Sequence, residues 1–273
     1  MVRALWTAAS GMIGQQDSVD TIANNLANVN TTAYKTESNE FKSLLYQTIQ
    51  TKTTTANGEN KPVGAQVGLG VRTASVTSQF VQGTLVDSES DTAFAIDGKG
   101  FFAVEGEDGN TYYTRNGNFL FSVGVNNKMT LSNSDGLPVL NTAGKPITIP
   151  ANYVSSEVVV DSDGQLWYPD DDGTLEEIAG MQIGVFQFQN PSGLEKMGDT
   201  LYAETAASGA ALNEATNDNL SKSELYQGYL ENSNVEVADE MVNLIIAQRA
   251  YEMNSKAVQT ADTMMQEANE LRR

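Results

Sequence analysis

The sequence predicts a mixed α and β protein, with long N- and C-terminal helices forming a coiled-coil-like layer and a mainly antiparallel β central domain. Three observations predict it. Apolar residues recur at helical spacing in the first 35 residues and again from residue 237 onward. Short apolar runs separated by Gly-, Asn- and Asp-bearing turns fill residues 66–202. Charge divides the chain at the same places. The total is −19 over 273 residues, yet residues 1–52 hold four basic and four acidic side chains, residues 235–273 four and seven, and residues 53–234 eight and 24. An acidic middle suits a solvated surface and repels nucleic acid and anionic membrane, whereas nearly neutral ends suit packing.

In the first element Leu5, Met12, Val19 and Leu26 recur every seven residues, with Ala8, Ala9, Ile22 and Val29 filling alternate positions. Gly11 and Gly14 weaken such a helix by roughly 1 kcal/mol each relative to alanine, so it needs partners. The stretch IANNLANVN carries Asn24, Asn25, Asn28 and Asn30, although asparagine favours caps and turns. At about 100° per residue Ile22, Leu26 and Val29 share one face, Asn24 and Asn28 lie nearly opposite, and Asn25 borders the stripe. Asn24 and Asn28 are therefore expected to make lateral or lumen contacts through neutral amides, and Asn30 to end the helix.

The last element begins at a capping box, Ser233 with Glu236, and acidic Glu236, Asp239 and Glu240 suit the positive end of a helix that Arg272 and Arg273 close. Its seam runs Met241, Leu244, Ala247, Ala250, Asn254, Ala257, Ala261, Met264, Ala268 and Leu271, widened by Tyr251, Val258 and Met265. A helix of some 35 residues is about 50 Å long, more than a small domain buries. Asn254, flanked by alanines, is either a register-fixing buried amide or a solvated residue where the seam drifts. Small residues leave several sides open, so these helices are expected to pair between subunits.

Between the ends, TTTANGENK at 53–61 reads as an exposed insertion. The strand-like runs include FAIDGKGFFAV, TYYTRNGNFLF and MQIGVFQFQ, punctuated by DGN, NGN and SDG turns. The expected organisation is a terminal helical domain from 1–35 with 233–273, a connecting region from 36–80 with 205–232 that includes a polar loop at 46–66, and a β domain at 81–204. Both termini are expected together in a hairpin-like rod.

The chain has neither cysteine nor histidine, which excludes disulfides, thiolate metal sites and imidazole bases. DSDG at 161–164 and DDDG at 170–173 have carboxylates but not calcium-loop spacing, and read as hairpin turns. GKGFF at 98–102 and GLG at 68–70 are too short for a phosphate loop and read as bulges and turns. No Ser-x-x-Lys pair exists. Of Phe101 with Phe102 and Tyr112 with Tyr113, one member of each pair is expected to face the core. No catalytic, cofactor or metal site is expected, and the chain is not expected to be an enzyme. There is no run of about 18 apolar residues. The opening MVRALWTAASGMIGQQD passes into the heptads without a cleavage site, so export with a retained N-terminus is the expectation.

Three separated motif groups carry a resemblance over nearly the full chain. ANNLANVNTTAYKT with SLLYQTI, the central GKGFFAV, YYTRNGNF and PSGLEKMGDTLYAET, and LYQGYLENSNVEVADEMVNLIIAQRAYEMNSKAVQTADTMM resemble the bacterial flagellar rod and hook axial family. Within it, the length, the RALW opening and LLYQTIQ before a polar insertion most resemble a distal rod subunit. The family often has Gly-Phe-Lys where Ala33, Tyr34 and Lys35 stand, so the turn after the first helix is expected to lack a left-handed glycine. The resemblance implies a non-enzymatic subunit, exported by the flagellar export apparatus, that self-assembles into a rigid helical tube in the basal body and transmits torque from motor to hook. It implies further copies of the chain, proximal rod proteins and hook protein as partners, with bushing rings where the envelope has them, and neither nucleic acid nor membrane insertion. It places assembly contacts on Leu5, Met12, Val19, Ile22, Asn24, Asn25, Leu26, Asn28, Tyr34 and Lys35, and on Met241, Leu244, Ala247, Arg249, Tyr251, Asn254, Lys256, Ala261 and Met264. By the same analogy, the 46–66 loop wedges between neighbours and stiffens the rod. A proximal rod or hook protein is the alternative within the family. From another class, the rival is a carbohydrate-binding or adhesin β domain on a coiled-coil stalk.

Overall fold

The computed structural model describes residues 2–50, 64–123, 128–150, 153–169, 174–217 and 219–271. The chain forms two compact units, a helical unit of Met1–Ala27, Glu37–Ser78 and Glu236–Arg273, and a β unit of Asn28–Thr36 and Gln79–Val235. These boundaries differ from the organisation expected from composition. Residues 37–78 belong with the helices, and the 205–232 return segment belongs with the β unit.

The helical unit contains α1 (Val2–Ala27), β1 (Glu37–Ser43), β2 (Tyr46–Gln50), β3 (Ala65–Gly68), β4 (Val71–Ser78) and α2 (Val237–Glu270). β1 pairs antiparallel with β4 from Glu37↔Ser78 to Ser43↔Val71, with a bulge at Glu40/Phe41, and β2 pairs antiparallel with β3. The arms of the expected 46–66 loop are thus strands, while the insertion at 53–61 lies outside the described residues. α1 packs against α2, β1 and β4. Side chains explain why β1 and β4 join the helices. Gly14 opens a notch for Phe41, whose ring carbon lies 2.9 Å from where a Cβ on that glycine would sit. Thr73 Oγ1 donates to Asp17 at 2.5 Å.

The β unit is antiparallel in every pairing described. Its largest sheet has six strands, in the order Glu195–Gly198, Leu201–Ala203, Thr111–Thr114, Phe101–Glu105, Val185–Gln187 and Leu212–Asn213. The central strand Phe101–Glu105 shows period-two alternation with both faces covered. Phe102 and Val104 enter a core with Ile96, Phe119, Leu131, Ile147 and Ile183, while Phe101 and Ala103 enter a second with Tyr113, Phe188 and Tyr202. Both phenylalanines are therefore buried, on opposite faces, rather than one of the two. Of the tyrosines, Tyr113 is buried and Tyr112 half-buried. The rings pack edge to face, Phe102 on Phe119 at 5.1 Å and Phe101 on Phe188 at 5.7 Å, the geometry aromatic quadrupoles prefer. The former return segment supplies Glu224–Gln227, paired with Phe94–Asp97, and Tyr229–Glu231, paired with Leu85–Asp87.

DSDG is a hairpin turn. The Gly164 amide donates to Asp161 O and the Asp161 amide to Gln165 O, and Gly164 takes φ +80°. DDDG lies outside the described residues. Among the described residues, no helix is long and apolar enough to cross a membrane.

Candidate functional site

Among the described residues no group of acidic side chains is placed to hold a metal ion, and the geometry of interest is that of the helix faces and of the polar groups that fix them. α1 and α2 run antiparallel within the helical unit, because Gly11 meets Asn254 while Gln16 and Val19 line a groove with Gln248, Tyr251 and Glu252. The groove holds about 420 Å³. A Cβ on Gly11 would lie 2.9 Å from Asn254 Nδ2. Glycines that weaken an isolated helix here let a second helix and a strand approach closely.

On α1, Leu5, Met12, Val19, Ile22 and Leu26 are all half-buried. The asparagines separate by role. Asn25 is buried, and its Nδ2 donates to Glu37 O at 2.8 Å while its Oδ1 accepts the Glu37 amide at 2.9 Å. A side-chain amide here imitates a peptide group and ties the end of α1 to β1. Asn28 accepts from Thr31 Oγ1 at 3.0 Å, just beyond the helix, and Asn24 is exposed. The helix ends at Ala27, before Asn30.

On α2, Leu244, Ala250 and Asn254 are half-buried and Ala247 and Ala261 buried, as the seam requires. After Asn254 the stripe continues through Val258, Ala261 and Met265, whereas Ala257, Met264, Ala268 and Leu271 are exposed. Met241 is exposed as well. The cause is geometric: a straight helix of 3.6 residues per turn drifts about 20° per heptad from a strict seven-residue repeat. Tyr251 is exposed on the groove, Lys256 is exposed, and Arg249 Nη1 pairs with Glu252 Oε2 at 2.9 Å on the surface.

The capping box does not form. The N-cap is Glu236, without a side-chain cap bond, and Ser233 Oγ accepts from the Val235 amide at 3.3 Å. Asn234 holds the preceding segment extended. Its Oδ1 accepts from the Thr36 amide and Thr36 Oγ1, both at 2.7 Å, and its Nδ2 donates to Gln79 O and Val81 O. A helix cannot begin at Ser233 while its neighbour is spent in this way.

Within the β unit, Lys35 lies at a buried ionic junction. Its Nζ reaches Glu231 Oε1 at 2.6 Å and Val81 O at 2.9 Å. Arg115 Nε donates to Glu231 Oε2 at 3.0 Å, and its Nη1 donates to Gly98 O and Gly100 O. The Gly83 amide completes the set on Glu231 Oε1 at 2.8 Å. The GKG of 98–100 is thus a carbonyl clamp for Arg115. Gly100 has no room for a side chain, since a Cβ would lie 2.2 Å from Val185. Burial pulls the Lys35 ammonium below its ordinary range, with the Glu231 carboxylate opposing the shift. Ala33, also buried, takes φ +59°, so the turn is left-handed although it has no glycine. Tyr34 O accepts from the Asn234 amide. Sequence reasoning missed Glu231, Arg115 and Asn234. Their signal was a lone charge or amide between strand-forming residues, in YTRNG and YLENSN.

The remaining feature is apolar surface. Trp6 and Ile13 on α1, and Met241, Val242, Ile245, Ile246 and Met253 on α2, are exposed, and Leu45, Tyr46 and Ile49 are exposed on the β1–β2 connection and β2. Single exposed apolar residues are ordinary, but runs on consecutive turns mark interaction sites.

Residues 5–35 match the flagella basal body rod protein family, residues 95–168 the flagellar hook protein FlgE/F/G D1 domain, and residues 226–271 the flagellar basal body rod FlgEFG protein C-terminal family. Over 274 residues, and 100% of both chains, the sequence is 42% identical to the flagellar basal-body rod protein FlgG of Borreliella burgdorferi. The chain belongs to the flagellar basal-body rod protein family. Its relatives in that family include FlgG of Caulobacter vibrioides, 41% identical over 99% of this chain and 100% of the relative, and FlgG of Bacillus subtilis, 36% identical over 100% of both. The rod-family matches at 5–35 and 226–271 cover most of α1 and α2.

Proposed function

We propose that the chain is a structural subunit of the bacterial flagellar rod, of the distal rod kind, and that it polymerises into a rigid helical tube transmitting torque from motor to hook. The observation that carries this is the exposed apolar surface of α1 and α2 in a chain whose β unit has a closed core of its own. Family membership supports the same reading. In the tube, α1 and α2 form a coiled-coil-like inner layer, and the acidic β unit forms an outer layer in water. Stiffness comes from many weak contacts repeated over a lattice, not from any single interface.

The partners on this reading are further copies of the chain, then proximal rod proteins and hook protein, in the basal body. The chain reaches them through flagellar export without cleavage of its N-terminus. Its role is mechanical, not enzymatic. The expected assembly residues divide accordingly. Leu5, Met12, Val19, Leu244, Ala247 and Ala261 shape the pair of helices, while the exposed Asn24, Met241, Arg249, Lys256 and Met264 face neighbours.

Electron microscopy of the concentrated full-length chain tests this. Unbranched hollow filaments of constant diameter are expected. Monomers, or a closed symmetric oligomer of fixed size at every concentration, would overturn it.

A further inference from the structure

We propose that the buried junction around Glu231, extended by Asn234, is a mechanical latch, which takes the load that reaches the β unit along the chain and resists its first displacement. The load itself comes from the rod-subunit reading, on which the proposal rests. The chain passes between its two units four times, after residues 27, 36, 78 and 235. Within the β unit, these passages lead to one knot. The first two bound the short segment 28–36, where the Ala33 amide donates to Glu231 O at 2.8 Å, Lys35 Nζ reaches Glu231 Oε1 at 2.6 Å, and Thr36 gives its amide and its hydroxyl to Asn234 Oδ1. After the third, the Gln79 amide donates to Thr36 O at 2.8 Å, and Gln79 O and Val81 O accept from Asn234 Nδ2. The last passage follows the segment that carries Glu231 and Asn234 themselves. Arg115, at the end of strand Thr111–Thr114, anchors the knot in the unit by holding Glu231 Oε2 at 3.0 Å and the carbonyls of Gly98 and Gly100.

These bonds are of a kind that resists displacement. Charge-assisted bonds are roughly twice as strong as neutral ones, and a buried ion drawn away from its partner gains no water, so its energy rises steeply as it moves. Glu231 and Asn234 each join several segments at once, so a pull on one segment is shared among the others, whereas a ladder peeled from its end breaks one bond at a time. Equilibrium stability alone does not call for ions here, because well-packed apolar residues of similar volume are often as stabilising as a buried ion pair. What the ions and the amide add is direction. Buried Ala33 is held at φ +59° in the same knot, and such strain persists only where the surroundings over-determine the backbone.

Forced unfolding follows the unfolding rate rather than equilibrium stability, so a latch differs from an ordinary core residue in the direction along which it acts. The full-length chain is held by handles at its two ends, so that force enters the β unit at residues 28 and 235. Alternatively it is held by Ser134→Cys and Glu195→Cys, both exposed and bounding a stretch that contains none of the latch residues, in a chain with no other cysteine. Pulled by its ends, chain carrying Glu231→Gln is expected to unfold its β unit more than about tenfold faster at a given force, and Asn234→Ala chain severalfold faster. Phe102→Ala, which removes a ring packed on Ile147 and Ile183, is expected to change that rate less. Between positions 134 and 195 the order of the variants is expected to reverse.

The same order along both directions, or an end-pulled rate that Glu231→Gln and Asn234→Ala leave unaltered, would overturn the latch. If Glu231→Gln chain does not fold, Asn234→Ala against Phe102→Ala decides by the same reversal. The measurement needs single chains only. Failure of the unaltered chain to form filaments overturns the rod reading without touching these rates, and filaments together with an unreversed order overturn the latch alone.

Discussion

The β unit and the helical unit solve opposite problems with similar residues. In the β unit, Ile96, Phe102, Val104, Phe119, Val139, Ile147 and Ile149 are fully buried, and even the charges of Lys35, Arg115 and Glu231 are enclosed and mutually paired. In the helical unit, isoleucines and methionines of equal hydrophobicity stand in water, and the described ion pair of α2, Arg249 with Glu252, is on the surface. The difference teaches that hydrophobicity alone does not make a core. A sheet strand with both faces covered closes on itself, while a helix hairpin with one face covered stays open for a neighbour.

That contrast can be broken where it is strongest. Phe102→Ala removes a fully buried ring and is expected to cost about 3–5 kcal/mol in urea denaturation of the β unit. A loss below about 1 kcal/mol would mean the core is not closed. Glu231→Gln leaves Lys35 and Arg115 buried without their anion and is expected to cost a comparable about 3–5 kcal/mol, whereas Arg249→Ala is expected to leave unfolding unchanged within about 0.5 kcal/mol. Equal effects from the two would remove the distinction between the units.

Two smaller measurements sharpen it. Burial, helped by the negative charge of Glu204, pushes the Tyr113 hydroxyl from its ordinary 10.0 up to about 12. The unfolded chain therefore ionises first, so this contribution is complete below pH 10 and is lost as pH rises from 10 to about 12. Tyr113→Phe is expected to flatten the alkaline loss of stability over that window, and an unchanged alkaline limb in pH-dependent melting would contradict it. The smallest effect belongs to Ala33, where φ is +59°. Ala33→Gly relieves left-handed strain of about 1–2 kcal/mol, offset in part by the greater freedom of glycine in the unfolded chain, and is expected to raise the melting temperature slightly.

Much of this was legible in the residues. The seven-residue repeat of Leu5, Met12, Val19 and Leu26 identified α1, and the apolar run FAIDGKGFFAV marked strand, which the structure divides into Phe94–Asp97 and Phe101–Glu105. The stripe on α2 was legible at Leu244, Ala247, Ala250, Asn254, Val258, Ala261 and Met265, while Met241 was misplaced, as were Ala257, Met264, Ala268 and Leu271 in the second half, where a straight helix drifts from a strict heptad. Asn25 was grouped with Asn24 and Asn28 since helical spacing shows which way a side chain points, not which backbone waits there.

By itself, the sequence determined the mixed architecture, the family and the asymmetry between neutral ends and acidic middle, because periodicity, motif and charge are local or additive properties. Only the tertiary structure decided that Ser233 caps nothing, that residues 37–78 join the helices, that Lys35 and Arg115 share Glu231, and which helix faces remain open. Those outcomes depend on pairs such as Lys35 with Glu231 or Thr36 with Asn234, which lie nearly two hundred residues apart in the chain and meet only when it folds.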